Sequence, residues 1–152
     1  MAQTVFRDLD ALAGAVGSHL GYSDWLEITQ ERIDRFAEAT GDHQWIHVDP
    51  ERAASGPFGT TIAHGYLTLS LSNCLLPQIV EVQGVSMGIN YGCNKVRFPA
   101  PVPVGSRVRA GAELVAVDEI PGGVQTTMIV TMEIDGGRKP ACVIESLSRF
   151  LR

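Results

Sequence analysis

His64-Gly65-Tyr66-Leu67-Thr68-Leu69-Ser70-Leu71-Ser72-Asn73-Cys74-Leu75-Leu76-Pro77-Gln78-Ile79-Val80 is the stretch on which the fold turns. Leu67, Leu71, Cys74, Leu75 and Leu76 recur at helical spacing, so the pattern predicts one long helix over roughly 64–80, with Pro77 ending or kinking it. That helix is apolar on most sides, so it is expected to be wrapped by other structure. From residue 84 onward the period changes to two. Segments near 86–98, 106–118, 124–135 and 141–151 read as four strands. The third is the clearest, with Val124, Thr126, Met128, Val130, Met132 and Ile134 alternating against Gln125, Thr127, Ile129, Thr131, Glu133 and Asp135. Pro121-Gly122-Gly123 and Asp135-Gly136-Gly137 are turns, and Pro99, Pro101 and Pro103 separate the first two strands. A helix gripped by a curved antiparallel meander is the simplest way to bury it, which predicts an α+β fold in one domain over residues 1–152.

Upstream, residues 1–18 read as a helical or irregular lead-in and Leu20 to Ile28 as a strand. Thr29 is a good helix N-cap, Ile33, Phe36, Ala37 and Thr40 mark one face, and Gly41 is the natural stop. The helix therefore ends just before Asp42 and delivers it into a loop, Gly41-Asp42-His43-Gln44-Trp45-Ile46-His47. Asp49-Pro50 starts a second, short helix, and Ser55-Gly56-Pro57-Phe58-Gly59 is loop chemistry.

The chain has 152 residues, 45% hydrophobic and 19% charged, with net charge −5 and no basic run. Nucleic-acid binding through phosphate neutralisation is not expected. No signal peptide is evident, and the apolar stretch from Ile62 to Val80 is too polar to span a bilayer, so no membrane association is expected. Cys74, Cys93 and Cys142 are odd in number and form no Cys-x-x-Cys, which predicts reduced, mostly buried thiols in a cytoplasmic protein.

At Gly41-Asp42-His43-Gln44-Trp45-Ile46-His47-Val48-Asp49 the chain resembles the MaoC-like dehydratase family, the (R)-specific enoyl-CoA hydratases with a hot-dog fold. That family's motif runs approximately Gly-Asp-x-Asn-Pro-aliphatic-His-x-Asp. Here Gln44 stands where Asn is usual and Trp45 where Pro is usual, departures similar to a subgroup related to nodulation protein N. His64-Gly65 matches the family's pair opening the central helix, and Asn94-Lys95-Val96-Arg97-Phe98 to Val102 matches its K-x-R-F strand.

The resemblance implies a hot-dog domain, a homodimer with sites near the subunit interface, and reversible syn addition of water to a trans-2-enoyl-CoA giving (R)-3-hydroxyacyl-CoA, with no cofactor beyond the CoA thioester substrate. Asp42 and His47 would orient the water and share the proton transfers, and the Gly65 amide, in the first turn of the long helix, would meet the developing oxyanion. Taken alone, Asp42 reads as a loop or cap residue, His47 as a core or surface histidine, and Gly65 as a packing glycine. His64 reads as structural, bonding loop backbone, or as a pocket residue. Gln44, Trp45, Phe58 and Tyr66 are candidates to line the acyl channel, against plain core or solvent-facing roles. Lys95 and Arg97 are candidates for CoA phosphates, against a solvated strand face. Asp42, His43, His47, Asp49 and His64 are metal-ligand types, but no His-Glu-x-x-His pattern exists and no metal is expected. Related readings are dehydration of 3-hydroxyacyl chains on acyl-carrier protein and a hot-dog thioesterase. A reading of another class is a non-catalytic acyl-CoA binding subunit.

Overall fold

The computed structural model describes residues 2–152. Its elements run β1 (Thr4–Phe6), α1 (Leu9–Ala13), β2 (His19–Tyr22), β3 (Leu26–Glu27), α2 (Gln30–Thr40), α3 (Trp45–Val48), α4 (Pro50–Ala54), α5 (Gly65–Ile79), β4 (Val80–Val82), β5 (Met87–Arg97), β6 (Arg107–Ile120), β7 (Gly123–Ile134) and β8 (Cys142–Leu151).

Local chemistry accounts for the helices. The Thr29 hydroxyl accepts from Arg32 N at 3.2 Å to start α2, and Gly41 ends it at φ 83°, donating its own N–H to Ala37 O at 2.8 Å. The Asp49 carboxylate accepts from Arg52 N at 3.1 Å to start α4, with Pro50 at its first position. α5 runs for 15 residues and carries Pro77 inside its last turn. The helix spans nearly the expected 64–80, and of the two outcomes expected at Pro77, ending or kinking, Pro77 does not end it. It removes one hydrogen bond, on a side where both Pro77 and Asn73 are exposed.

The main sheet has the order β2-β6-β7-β8-β5, with β3 also paired to β6. β6, β7 and β8 form the expected antiparallel meander. β5 departs from it: instead of lying beside β6 it pairs with β8 at the far edge. The connection from β5 to β6 must therefore cross back, and the proline-rich segment 98–106 does so beneath the start of α5. Ala63 N donates to Val102 O at 2.8 Å and Val104 N to Thr61 O at 2.9 Å. The strand expected over 20–28 is two short pieces. Between them Ser23 bonds Ala110 twice, Ser23 N to Ala110 O and Ala110 N to Ser23 Oγ, each at 2.9 Å. The lead-in holds a strand the sequence did not suggest, β1, which pairs in parallel with β4. Three residues are too few to show a period.

Leu67, Leu71, Leu75 and Ile79 of α5 pack on Val108, Ala110, Ala112 and Leu114 of β6, on Met128, Val130 and Met132 of β7, and on Cys142 and Ile144 of β8. Small residues at 110 and 112 let the helix lie close to the sheet. The grip is one-sided: Tyr66, Ser70, Asn73 and Cys74 of α5 face out, with Tyr66 70% exposed. Two of the three thiols, Cys74 and Cys93, are exposed, which corrects the expectation of mostly buried cysteines. Cys74 belongs to that outer face, and Cys93 lies on the edge strand. No helix of the described residues is long and apolar enough to cross a membrane.

Candidate active site

Three segments converge at the N-terminus of α5. The first is the α2–α3 loop, which carries Asp42. The second is α3, a single helical turn closed by His47 N to Gln44 O at 3.0 Å and Asp49 N to Trp45 O at 3.1 Å. The sequence predicts loop here, and the structure holds a helical turn, because one turn is too short to show periodicity. The turn swings His47 inward, where it is 7% exposed. The third is the His64-Gly65 step that opens α5. The Asp42 carboxylate and one ring nitrogen each of His47 and His64 lie within 4.8 Å of one another.

His47 is fixed from two sides. Its Nδ1 meets Ile62 O at 2.8 Å, and only Nδ1–H can donate to a carbonyl, so Nε2 carries the lone pair. Its backbone carbonyl accepts from Gln30 Nε2 at 2.8 Å, and Gln30 Oε1 in turn accepts from the Thr61 hydroxyl at 2.6 Å. Burial pushes the His47 pKa below 6.5. The Ile62 carbonyl opposes this shift, the His64 ring adds to it, and Asp42 opposes it.

Asp42 is exposed and its Oδ1 makes one long contact, from Gln44 N at 3.4 Å. The carboxylate oxygens thus stay open to a ligand. A water hydrogen-bonded to two atoms at roughly 2.8 Å each spans about 4.4 Å at its own bond angle, and Asp42 and His47 lie within 4.8 Å of each other, so one water can bridge them.

His64 is 2% exposed. Its Nε2 donates to Asp42 O at 2.9 Å. Its ring stacks on His47 at 3.9 Å between centroids, tilted by 23°, and Phe36 packs against it at 4.9 Å. Gly65 is the first residue of α5, where a backbone N–H has no partner in its own helix. A Cβ there would stand 3.1 Å from the Phe98 ring.

The other candidates scatter. Gln44 is exposed at the start of α3, with no side-chain cap bond. Trp45 lies under the Arg52 guanidinium at 4.3 Å, so it braces α3 against α4. Phe58 is 45% exposed, and Tyr66 meets Phe98 edge-on at 6.1 Å. Lys95 and Arg97 are not brought to Asp42 and His47. Their register partners are Glu145 and Val143, while the intervening Val96 pairs with Ile144, which is packed in the α5 core. Alternation therefore turns both cations to the face of the sheet away from α5, beside a groove of about 360 Å³ lined also by Ile129, Val143 and Glu145. Gln30, Phe36 and Thr61 belong to the site and were not singled out from the sequence. Their partners lie too far along the chain for spacing to reveal them.

Asp42, His47 and His64 are ligand types within reach of one ion, but their geometry suits a metal poorly. Two imidazoles on one tetrahedral ion aim their lone pairs at a common point. Rings stacked at 3.9 Å and nearly parallel do not.

The family model described as MaoC like domain matches residues 11–135. The chain belongs to the MaoC-like dehydratase family. It is 60% identical to a 3-hydroxyacyl-thioester dehydratase Z of Mycobacterium tuberculosis over 147 residues, covering 96% of this chain and 97% of that one. It is 48% identical to Nodulation protein N of Rhizobium leguminosarum bv. viciae, covering 83% and 80%. Among solved structures, an (R)-hydratase from A. caviae involved in PHA biosynthesis superposes with a TM-score of 0.73 at 28% identity, covering 88% and 94%. The fold is thus the hot-dog fold of MaoC-like hydratases, and the chain is a hydro-lyase of the dehydratase type.

Proposed function

We propose that this MaoC-like dehydratase reversibly hydrates trans-2-enoyl-CoA thioesters to (R)-3-hydroxyacyl-CoA. The observation that carries the reading is the Asp42 carboxylate within 4.8 Å of a His47 ring nitrogen at the start of α5. A water held between them gives one proton to the pair as its oxygen bonds to Cβ of the enoyl group. The electron pair moves through Cα onto the thioester oxygen, where the Gly65 N–H and the positive end of α5 stabilise it. The pair then returns one proton to Cα on the same face, so one water is added in syn fashion and the site is regenerated. Dehydration is the same path reversed. Both side chains can reach the same water, so the base is assigned to the pair. No cofactor is needed for these steps beyond the thioester itself.

The reading includes a homodimer. In support, β5 is paired on one side only and exposes Met87, Ile89 and Tyr91, the kind of long apolar edge that proteins protect by pairing. Sedimentation velocity should give twice the chain mass, and a monomer at micromolar concentration would refute this part. A cytoplasmic location is part of the same reading, supported by three thiols without a disulfide among the described residues.

The test is loss of enoyl absorbance with crotonyl-CoA for the wild type, Asp42→Asn and His47→Gln. General acid–base catalysis is typically worth about 10²–10⁴ in rate, so each folded variant should lose at least that much. An active wild type whose two variants keep full rate would sink the assignment. Faster turnover of the carrier-protein thioester than of the CoA ester would replace the CoA substrate with the carrier-bound one.

A further inference from the structure

We propose that His64 is a positioning residue that sets the geometry of both halves of the dyad, holding the Asp42 loop through its Nε2–H and the His47 ring through the stack. This rests on the assignment of Asp42 and His47 as the reacting pair. Three observations carry it.

His64 stands at the N-cap of α5, a position that usually holds Ser, Thr, Asp or Asn, yet it makes no cap bond. Its donor goes instead to the carbonyl of Asp42, 22 residues away, at 2.9 Å. The ring is also held between Phe36 at 4.9 Å and His47 at 3.9 Å, so it cannot turn without moving the imidazole it stacks on. Finally, His64 Nδ1 is buried without a hydrogen-bond partner, and so is the Thr68 hydroxyl one helical turn later. An apolar side chain would fill the same space without burying a bare nitrogen. The nitrogen is tolerated because the other edge of the ring is in use.

The stack has an electrical consequence as well. The ionisable groups that act on His47 are His64 from α5, which lowers its pKa, and Asp42 from the α2–α3 loop, which raises it, both behind burial as the main cause. His64 thus links the carbonyl of Asp42, the ring of His47 and, as its chain neighbour, the amide of Gly65.

Two variants separate the contacts. His64→Phe keeps a ring for the stack and loses the donor to Asp42. Its kcat for crotonyl-CoA should fall roughly 10–100-fold with KM little changed, the scale expected of a misplaced reacting group. His64→Gln keeps a donor that reaches the Asp42 carbonyl and loses the stack. It should keep kcat within about tenfold of wild type, while the acid limb of its kcat/KM profile moves to higher pH as water reaches His47. Equal losses in both variants that track their melting temperatures, with an unmoved acid limb, would mean packing alone and overturn the proposal. So would wild-type rates in both. A measurement on the unaltered protein covers variants that do not fold: nitrogen NMR should find His64 protonated on Nε2 and bare on Nδ1, and the reverse tautomer overturns the proposal. If Asp42→Asn and His47→Gln lose activity while the His64 variants do not, the dyad stands and only this inference fails. If those two keep activity, His64 has nothing to position and both fall.

Discussion

Replacing Gly65 by proline isolates the backbone amide from everything else at the site. Gly65 is the first residue of α5, the one helical position where proline fits well, because its N–H is not used by the helix. The preceding residue must avoid helical angles, and His64 already sits at φ −60°, ψ 138°. The backbone therefore accepts the change, and the N–H disappears. A new Cβ would stand 3.1 Å from Phe98, whose ring is 42% exposed and free to give way. Gly65→Ala adds the same Cβ and keeps the N–H, so it is the control. One oxyanion donor is typically worth about 10²–10³ in kcat, or roughly 2.7–4 kcal/mol. The kcat of Gly65→Pro should lie below that of Gly65→Ala by that factor in steady-state hydration of crotonyl-CoA. The added ring carbon crowds the thioester and should raise KM, which is why kcat at saturating substrate is compared. Equal kcat values in the two folded variants would falsify the oxyanion assignment and leave Gly65 as a packing glycine.

Four further outcomes follow from the same geometry. Burial holds His47 below 6.5, so kcat/KM should stay high as pH falls through 6.5 and decline only further into acid, read as an acid limb below the ordinary histidine position. The same shift affects stability: the unfolded chain takes up a proton near 6.5 before the native chain does, so the His47 contribution is full above that pH and is lost as pH falls towards the native value, visible as a declining urea midpoint. Leu75→Ala removes a side chain 1% exposed in the α5 core and should cost about 2–5 kcal/mol in denaturant unfolding. Gly41→Ala forces a side chain into φ 83° at the α2 stop and should cost about 1–2 kcal/mol by the same assay, with a fall in kcat because Asp42 is the next residue.

What could be read from the sequence was what neighbours in the chain decide. Thr29, Gly41 and Asp49-Pro50 set their helix ends through bonds spanning only a few residues, and all three boundaries fall where the residues say. β7 alternates because one face meets α5 and the other does not. The position of β5 was not legible, because choosing β8 over β6 as its neighbour depends on how α5 is covered and leaves no local mark. The same holds within the site. The family motif drew attention to Asp42, His47 and Gly65. Gln30, which joins Thr61 to the backbone of His47 across 31 and 17 residues, sits in the first turn of α2 with no pattern to distinguish it. Lys95 and Arg97 matched a strand signature, yet pleating sends both to the face away from α5, a consequence of register that the motif does not encode.

The two members of the proposed dyad are held by opposite means. His47 is buried and fixed through its own ring, with Nδ1 committed to Ile62 and Nε2 left as the one free lone pair. Asp42 is exposed, and fixing its carboxylate by hydrogen bonds would consume the oxygens that hold water in the proposed reaction. The structure restrains it one bond further back: His64 takes the backbone carbonyl, Gly41 sets the loop's departure from α2, and the side chain keeps a single long contact to Gln44. A carboxylate tethered through its main chain stays a competent acceptor while its position is still defined. That division gives the second histidine at the head of the central helix a use distinct from that of His47. Without the tether, the same Asp42 would be an ordinary loop carboxylate, free to point into solvent and too poorly placed to share a water with His47.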